Sequence, residues 1–458
     1  WRSFEVTTSR VERYARSLSR ETVESVKAAS IAKTGAREIA LKGLFQDVEA
    51  ARSRASDIKD FVLDRLPGLL NQLEERCTEN GTTVHWAADA ARAREIVLGV
   101  CSNQELGKTI VKAKSMATEE IHLNEALSAA GYDPIETDLG EYVVQLDDDT
   151  PSHIVTPSIH KSRRQVAMTF VREGLGDYTE DPGELTMRAR SRLRSKFMEA
   201  KIGISGVNFA VAESGRIVLV ENEGNSRFCT TATEVHIAVM GIEKVLPSER
   251  DLALFLKLLA GSATGQRLTT YTHLISGPRR ADEEDGPREV HLVLLDNGRS
   301  RVLDTAYRDI LRCIRCGACL NVCPVYRQAS GHAYGHVYSG PLGAVLAPAM
   351  DGTGAFGDLA KASSLCGACE SVCPVKIPIP SMLLHLRAEG RESRTSGDGL
   401  PWAAFGAAAR SGFLWRTGLV LLPMASKAPH PAKRAWAAYR ELPARRGRSF
   451  RKWWKSRG

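Results

Sequence analysis

Cys313-Ile314-Arg315-Cys316-Gly317-Ala318-Cys319-Leu320-Asn321-Val322-Cys323-Pro324 spaces its cysteines by two, two and three residues and closes on proline. This is the spacing of bacterial ferredoxins. Short gaps let three thiolates wrap one iron–sulfur cube, and the longer gap with its proline throws the fourth thiolate toward a neighbouring cluster. Downstream, Cys366-Gly367-Ala368-Cys369-Glu370-Ser371-Val372-Cys373-Pro374 repeats the run without its first cysteine, whose place is taken by Ser363. Crossing the two runs assigns Cys313, Cys316, Cys319 and Cys373 to cluster one, and Cys323, Cys366 and Cys369 to cluster two. Both clusters are expected to be [4Fe–4S]. The second, one thiolate short, is alternatively [3Fe–4S], or is completed by Ser363, water or a partner's ligand. Zinc also takes thiolates at this spacing, but seven cysteines in two proline-closed runs favour iron–sulfur chemistry.

Around that module the chain is ordinary in composition. Its 458 residues are 43% hydrophobic and 25% charged, enough for about three domains and a large core. No stretch offers the roughly 20 apolar residues of a membrane span; Gly412–Met424 comes nearest, but it is short and carries Arg416. Residues Trp1–Arg20 are charged and lack an apolar signal core, so a reducing, cytoplasmic setting is expected, in which thiols stay available as ligands. Cys77, Cys101 and Cys229 have no partners in spacing and read as buried thiols.

The net charge of +8 is concentrated in the tail, where Ala425–Gly458 holds eleven Lys or Arg against Glu441 alone. Trp402, Trp415, Trp436, Trp453 and Trp454 lie in the same C-terminal region. Cations and aromatics together suit a lipid headgroup surface or a partner groove, so peripheral contact at the inner face of a membrane is expected. Nucleic acid is not, because no base-reading module accompanies the charge.

Residues 1–58 have helical spacing and read as an N-terminal extension. Residues 59–300 alternate helical patterns (Asp64–Asn80, Glu119–Ala130) with buried-strand patterns (Ile217–Val220, Val290–Leu295), which predicts an α/β domain with a largely parallel sheet. Residues 301–390 form the cysteine module. Its intervening Gly-rich stretch, Gly331–Gly357, is too poor in alternating apolar residues for a ferredoxin sheet, so a mainly α-helical ferredoxin-type domain is expected. Residues 391–458 are the basic, Trp-rich region.

Other motifs carry less. Gly352-x-Gly354-x-x-Gly357 follows no predicted strand, as a dinucleotide fingerprint must. Gly107-Lys108-Thr109 lacks the first glycine of a phosphate loop, Ser102 standing there instead. His332 and His336 lie among loop glycines, and Glu119, Glu120, His122 and Asn124 read as a solvated helix start more readily than as a pocket. Ile202-Gly203-Ile204-Ser205-Gly206-Val207-Asn208-Phe209-Ala210, with Glu221-Asn222-Glu223-Gly224-Asn225, is either a ligand cleft at strand ends or a tight turn.

Longer strings resemble the lactate-utilisation protein B family across nearly the whole chain. They include Lys114–Asn124, Glu136-Thr137-Asp138-Leu139-Gly140-Glu141-Tyr142, Ser152-His153-Ile154-Val155, Gly203–Asn225, Asp296-Asn297-Gly298-Arg299-Ser300, Cys313–Arg327 and Tyr338-Ser339-Gly340-Pro341. The resemblance implies an α/β domain of the CoA-transferase and sugar-phosphate isomerase type followed by a helical ferredoxin module. It also implies an iron–sulfur electron-transfer subunit that oxidises L-lactate to pyruvate, independently of NAD, together with a cysteine-rich subunit and a smaller relative of the α/β domain. The electron acceptor is left open. The family's cluster ligands fall on the seven clustered cysteines, and its members also lack the eighth. Two alternatives stand beside this reading: an iron–sulfur subunit of another 2-hydroxy-acid or quinone-linked oxidoreductase, or an α/β domain that is itself catalytic through Glu221 or Glu223.

Overall fold

The apolar runs Val235–Gly241 and Glu289–Leu295 pair side by side, and every residue of the first is buried. Strands that read as continuous Val, Ile and Leu are those covered on both faces, as in parallel sheets. In the computed structural model, which describes residues 9–102, 107–392, 400–425 and 450–457, they belong to a six-stranded, wholly parallel sheet. Its strands are β1 (Thr83–Ala87), β2 (Thr109–Lys112), β3 (Asp133–Glu136), β4 (Ile202–Gly206), β7 (Val235–Gly241) and β10 (Glu289–Leu295), in the order β1-β10-β7-β4-β2-β3.

Along β7 the side chains alternate between two cores. Ile237 and Val239 pack with helices Ala90–Ser102 and Leu123–Ala129, while Ala238 and Met240 pack with helix Leu66–Glu79. A sheet so covered has its open end only where the strands finish, at Lys112, Gly206, Gly241 and Leu295, and the loops leaving those ends build the sites described below.

A second, four-stranded sheet comprises β5 (Phe209–Val211), β6 (Arg216–Glu221), β8 (Val245–Leu246) and β9 (Tyr271–Ile275), in the order β8-β5-β6-β9. The predicted strand at Ile217–Val220 is therefore real but lies outside the parallel sheet. Its tight connection from β5 leaves no room for a crossover helix, so it pairs antiparallel with β5 and β9. Two predicted helices are also divided. Asp64–Asn80 breaks at Arg65, because Pro67 starts a new helix, Leu66–Glu79. Glu119–Ala130 is split into Met116–Glu120 and Leu123–Ala129 by His122, which adopts a left-handed conformation at φ 50°.

Helices Arg10–Ser17, Arg20–Leu44 and Val48–Asp64 precede the sheet, and Val11, Val26 and Leu41 are buried in the same core as the cysteine module. Helix Arg20–Leu44 lies against Glu249–Ala263 on one side and against Ala318–Val322 and Tyr326–Ala329 on the other. From 301 to 390 every regular element is a helix, with no strand among the described residues.

Residues 9–390 form one compact unit. In the other unit, helices Leu400–Arg410, Gly412–Ala425 and Phe450–Lys455 expose Phe413, Leu414, Phe450 and Trp454, and Arg457 lies over the Trp453 ring at 4.6 Å. Trp436 and the basic stretch 426–449 lie outside the described residues. No described helix is long and apolar enough to cross a membrane.

Gly203 sits in β4 where an added Cβ would come within 1.8 Å of the Cys229 carbonyl oxygen. Gly203→Ala is expected to cost about 3 kcal/mol or more through overpacking against backbone, whereas Gly354→Ala, with nothing within 4 Å, should change stability by less than about 0.5 kcal/mol. Urea unfolding of the two variants measures the difference.

Candidate metal centre

The two cysteine runs fold alike. In each, a non-glycine residue in the left-handed region (Arg315, φ 61°; Leu365, φ 54°) precedes a cysteine and then a left-handed glycine (Gly317, φ 74°; Gly367, φ 81°). One short helix follows, Ala318–Val322 or Ala368–Val372, and then a cysteine and proline. Glycine is needed at the second position, where a side chain would be strained. These turns direct amides at sulfur: Arg315 N donates to Cys313 Sγ at 3.3 Å and Ile377 N to Cys373 Sγ at 3.4 Å.

The two short helices pack on each other, which exchanges the cysteine that follows each. Cys373 thus joins Cys313, Cys316 and Cys319 around one small cavity closed by Leu342, Ile377 and Ile379. Cys323 lies close enough to Cys366 and Cys369 for their charges to interact. Ser363, three residues before Cys366 as Cys313 is before Cys316, accepts the Leu365 amide on Oγ at 3.1 Å.

The donor set fits an iron–sulfur group. Zinc with sulfurs at about 2.3 Å would draw them to about 3.8 Å from one another, and no three thiol sulfurs among the described residues lie within 4.8 Å of each other. Burial, then the neighbouring Cys313, pushes Cys316 up to about 12, and burial pushes Cys373 up to about 11 and Cys369 up to about 12. Thiols that oppose one another's ionisation become thiolates only when a bound cationic centre supplies compensating charge. Cys366 is the exception. It is exposed, and the Ala368 amide, followed by the Ser364 hydroxyl, holds it below the ordinary thiol value.

Arginines from the preceding helices grip this arrangement. Arg37 Nη2 donates to the Val372 carbonyl at 2.5 Å, and Arg52 donates to Cys373 O at 2.9 Å and Glu370 O at 3.1 Å. They satisfy the orphan carbonyls at the end of helix Ala368–Val372 and bring positive charge beside Cys373. Nothing in the cysteine spacing points to these two residues.

The parallel sheet reaches the cysteines through a buried ionic chain. Arg315 Nη2 bonds Glu243 Oε1 at 3.0 Å, Glu243 Oε2 receives Arg299 Nε at 2.6 Å, and Arg299 bonds both oxygens of Glu120 at 2.8 Å. Tyr338 closes the chain, with its hydroxyl on Glu120 at 2.6 Å and its ring 4.6 Å from the Arg315 guanidinium carbon. Against the cost of burial, Arg299 holds Glu120 down at about 2. Glu120, expected to be a solvated helix start, instead has a side chain only 4% exposed, because the broken helix Met116–Glu120 turns it inward.

Beside this chain lies a cavity of ≈ 400 Å³ at the ends of β2, β3, β4 and β7, lined by Lys114, Asp138, Asn208, Glu221, Glu223 and Arg315 among others. The cleft reading of Gly203–Asn225 thus describes real space. Glu221 is fully engaged there, accepting the Ser226 and Arg227 amides at 2.8 Å and bonding His273 at 2.7 Å. His122 points to solvent, and Asn124 bonds Glu136 at 2.8 Å. His336 pairs with Asp351 at 2.9 Å; His332 gathers with Asp149 and His160, where Lys161 already supplies a cation 2.9 Å from Asp149. Burial pushes Cys77, Cys101 and Cys229 up to about 12, and none of them lines the cysteine cavity.

Comparison with known proteins places this geometry. Residues 70–295 match the LUD domain, 309–377 the 4Fe-4S dicluster domain, and 385–458 the C-terminal domain described as lactate utilisation protein B. "Lactate utilization protein B" of Bacillus subtilis (strain 168) is 45% identical over 89% of this chain and 88% of its own, and the protein of that name from Bacillus velezensis is equally similar. "Uncharacterized electron transport protein YkgF" of Escherichia coli (strain K12) is also 45% identical, over 89% and 88%. A solved DUF162 family protein from Deinococcus radiodurans covers 50% of this chain and 98% of its own at 12% identity, with a TM-score of 0.29, too slight a likeness to bear on the fold.

Glu243→Gln removes the charge between two buried arginines and is expected to cost about 3–5 kcal/mol. Glu38→Gln, which breaks the exposed pair with Lys42, should cost less than about 1 kcal/mol. Denaturant midpoints of the two variants, read against the parent, check the contrast.

Proposed function

The chain belongs to the lactate utilisation protein B family, and from that membership we propose that it is the iron–sulfur electron-transfer subunit of a complex that oxidises L-lactate to pyruvate. What carries the proposal is the crossing of the two cysteine runs, which gathers four thiols into one cavity and three into a neighbouring group within a 4Fe-4S dicluster domain. Cys313, Cys316, Cys319 and Cys373 would hold the first cluster. Cys323, Cys366 and Cys369 would hold the second, with Ser363, water or a partner's ligand as the fourth donor, or as a [3Fe–4S] form. Bound clusters supply one-electron transfer.

The protein's own residues set how that transfer is arranged. The four-thiol group is mostly buried, beside Arg37, Arg52 and Arg315, and adjoins the α/β domain. Cys366 in the three-thiol group is exposed, so this end is the one we assign to docking with another redox protein. Lactate oxidation releases two electrons and two protons, and we assign that two-electron step to a partner. The partners we expect are a cysteine-rich subunit and a smaller relative of the α/β domain, which we take to be of the CoA-transferase and sugar-phosphate isomerase type. The setting is the cytoplasm, with the aromatic tail as a contact to the inner membrane face. A second reading, catalysis by the α/β domain, rests on Glu223 alone, since Glu221 is spent on two amides and His273.

Anaerobic purification with iron and sulfide analysis and electron paramagnetic resonance tests the assignment. Cys319→Ala should lose about half the iron and abolish lactate-dependent reduction in the presence of the candidate subunits, while Cys77→Ala, at a buried thiol of the sheet domain, keeps the full complement. A colourless, zinc-loaded parent protein would overturn the proposal.

A further inference from the structure

The ≈ 400 Å³ cavity at the sheet's C-terminal edge has an imbalance of charge. Its wall carries Lys33, Lys114, Lys244 and Arg315. Lys114 Nζ donates to the carbonyls of Ile154 and Val155 at 3.0 and 3.1 Å, and Lys244 Nζ to that of Val207 at 2.6 Å, so neither faces a carboxylate in those bonds. Lys33 has no hydrogen-bond or ion-pair partner among the described residues. Arg315 is 7% exposed, spends one nitrogen on Glu243, and leaves Nε and Nη1 without a partner.

The cations also crowd one another. Burial and then the charge of Lys114 pull Lys33 below its ordinary value. Burial, then Lys33, brings His153 down to about 3, with Lys114 adding to the effect. Of the three carboxyl groups in the wall, Glu221 is fully engaged and Asp138 caps the amides of Gly140 and Glu141 at 3.0 and 3.2 Å. Burial, then Asp138, pushes Glu223 up to about 7, so it is about half protonated near neutrality. Lys33 and Lys114 without a bonded carboxylate, and two open nitrogens on the partly satisfied Arg315, offer an anion its donors in a preformed cavity.

We propose that this cavity binds a small organic carboxylate, held by Lys33, Lys114 and Arg315, in the wall that also carries the first cysteine loop. A monoanion fits better than phosphate, since Asp138, Glu221 and Glu223 line the same space and repel a dianion more strongly. Three short helices begin there, and first-turn amides of each are already taken: Leu139–Leu146 by Asp138 and Glu223, Asn225–Thr231 by Glu221, and Met116–Glu120 by the Ser115 hydroxyl, which weakens the usual phosphate cradle. The choice of 2-hydroxy and 2-oxo acids as probes rests on the lactate reading; the binding itself does not.

Calorimetric titration of the anaerobically purified full chain, without other subunits, tests the site with sodium pyruvate, sodium L-lactate and inorganic phosphate. One saturable site for pyruvate or lactate is expected, weakened at least tenfold in Lys33→Gln and in Lys114→Gln, with phosphate binding more weakly than either acid. Iron content equal to the parent's establishes that a variant is folded, and Lys33→Gln, at a half-exposed residue with no partner to lose, keeps the test open if Lys114→Gln fails to fold. Absence of saturable carboxylate binding, tighter binding of phosphate, or binding undiminished in every folded variant would overturn the site. Lactate-dependent reduction in the assembled complex is a separate readout, so the relay can fail while the anion site stands, and the reverse.

Discussion

Glu120, Arg299, Glu243 and Arg315 form an unbroken buried chain of alternating charge, and the joining of the sheet to the cysteine module depends on it. Burying each of these ions costs several kcal/mol, which is recovered only when the geometry is good and the remaining polar atoms are bonded. Arg299 meets that condition, with two bonds to Glu120, one to Glu243 and one to the Asp296 carbonyl at 3.0 Å. Arg315 does not, since two of its nitrogens stay unpartnered. The chain is thus complete at the sheet end and open at the end beside the cysteines and the cavity.

The same seam is held by neutral contacts that tolerate no displacement. His153 accepts the Val155 and Thr156 amides on Nδ1 at 3.0 and 3.1 Å, which leaves Nε2 to donate to Asn321 Oδ1 at 3.1 Å. That ring lies against Gly317, where an added Cβ would be 3.1 Å from it. Tyr326 donates to the Ser152 carbonyl at 2.7 Å. On the opposite side, Arg312 reaches Ser56 at 2.6 Å and Asp60 at 3.1 Å on helix Val48–Asp64. The cysteine loops are therefore clasped between the first helices and the loops at the sheet's open edge.

The cationic cavity lies at the C-terminal ends of parallel strands for a topological reason. The strand order reverses direction about β4, with β2 and β3 on one side and β7, β10 and β1 on the other. Loops leaving adjacent strands part there and open a crevice. Lys114 and Glu120 leave β2, Asn208 leaves β4, Glu243 and Lys244 leave β7, and Arg299 leaves β10. Arg315 belongs to both the crevice and the first cysteine loop, lining the one and donating its amide to Cys313 in the other.

Local chemistry was legible in the sequence. The cysteine spacing, the proline that closes each run, the missing first cysteine at Ser363 and the apolar runs of β7 and β10 all express contacts within a few residues, where period and spacing carry the information. The crossing of the runs also follows from spacing, because a three-residue gap after a short helix turns the last thiol away from its own loop. Only the tertiary structure decided which charged residues are buried. Glu120 reads as a solvated helix start, and nothing local marks Glu243, Arg299, Arg37 or Arg52, because each finds its partner from tens to hundreds of positions away and no local pattern records such a pairing. The same holds for β6, whose apolar pattern is that of any buried strand and whose sheet was chosen by the turn before it and the strands folded beside it.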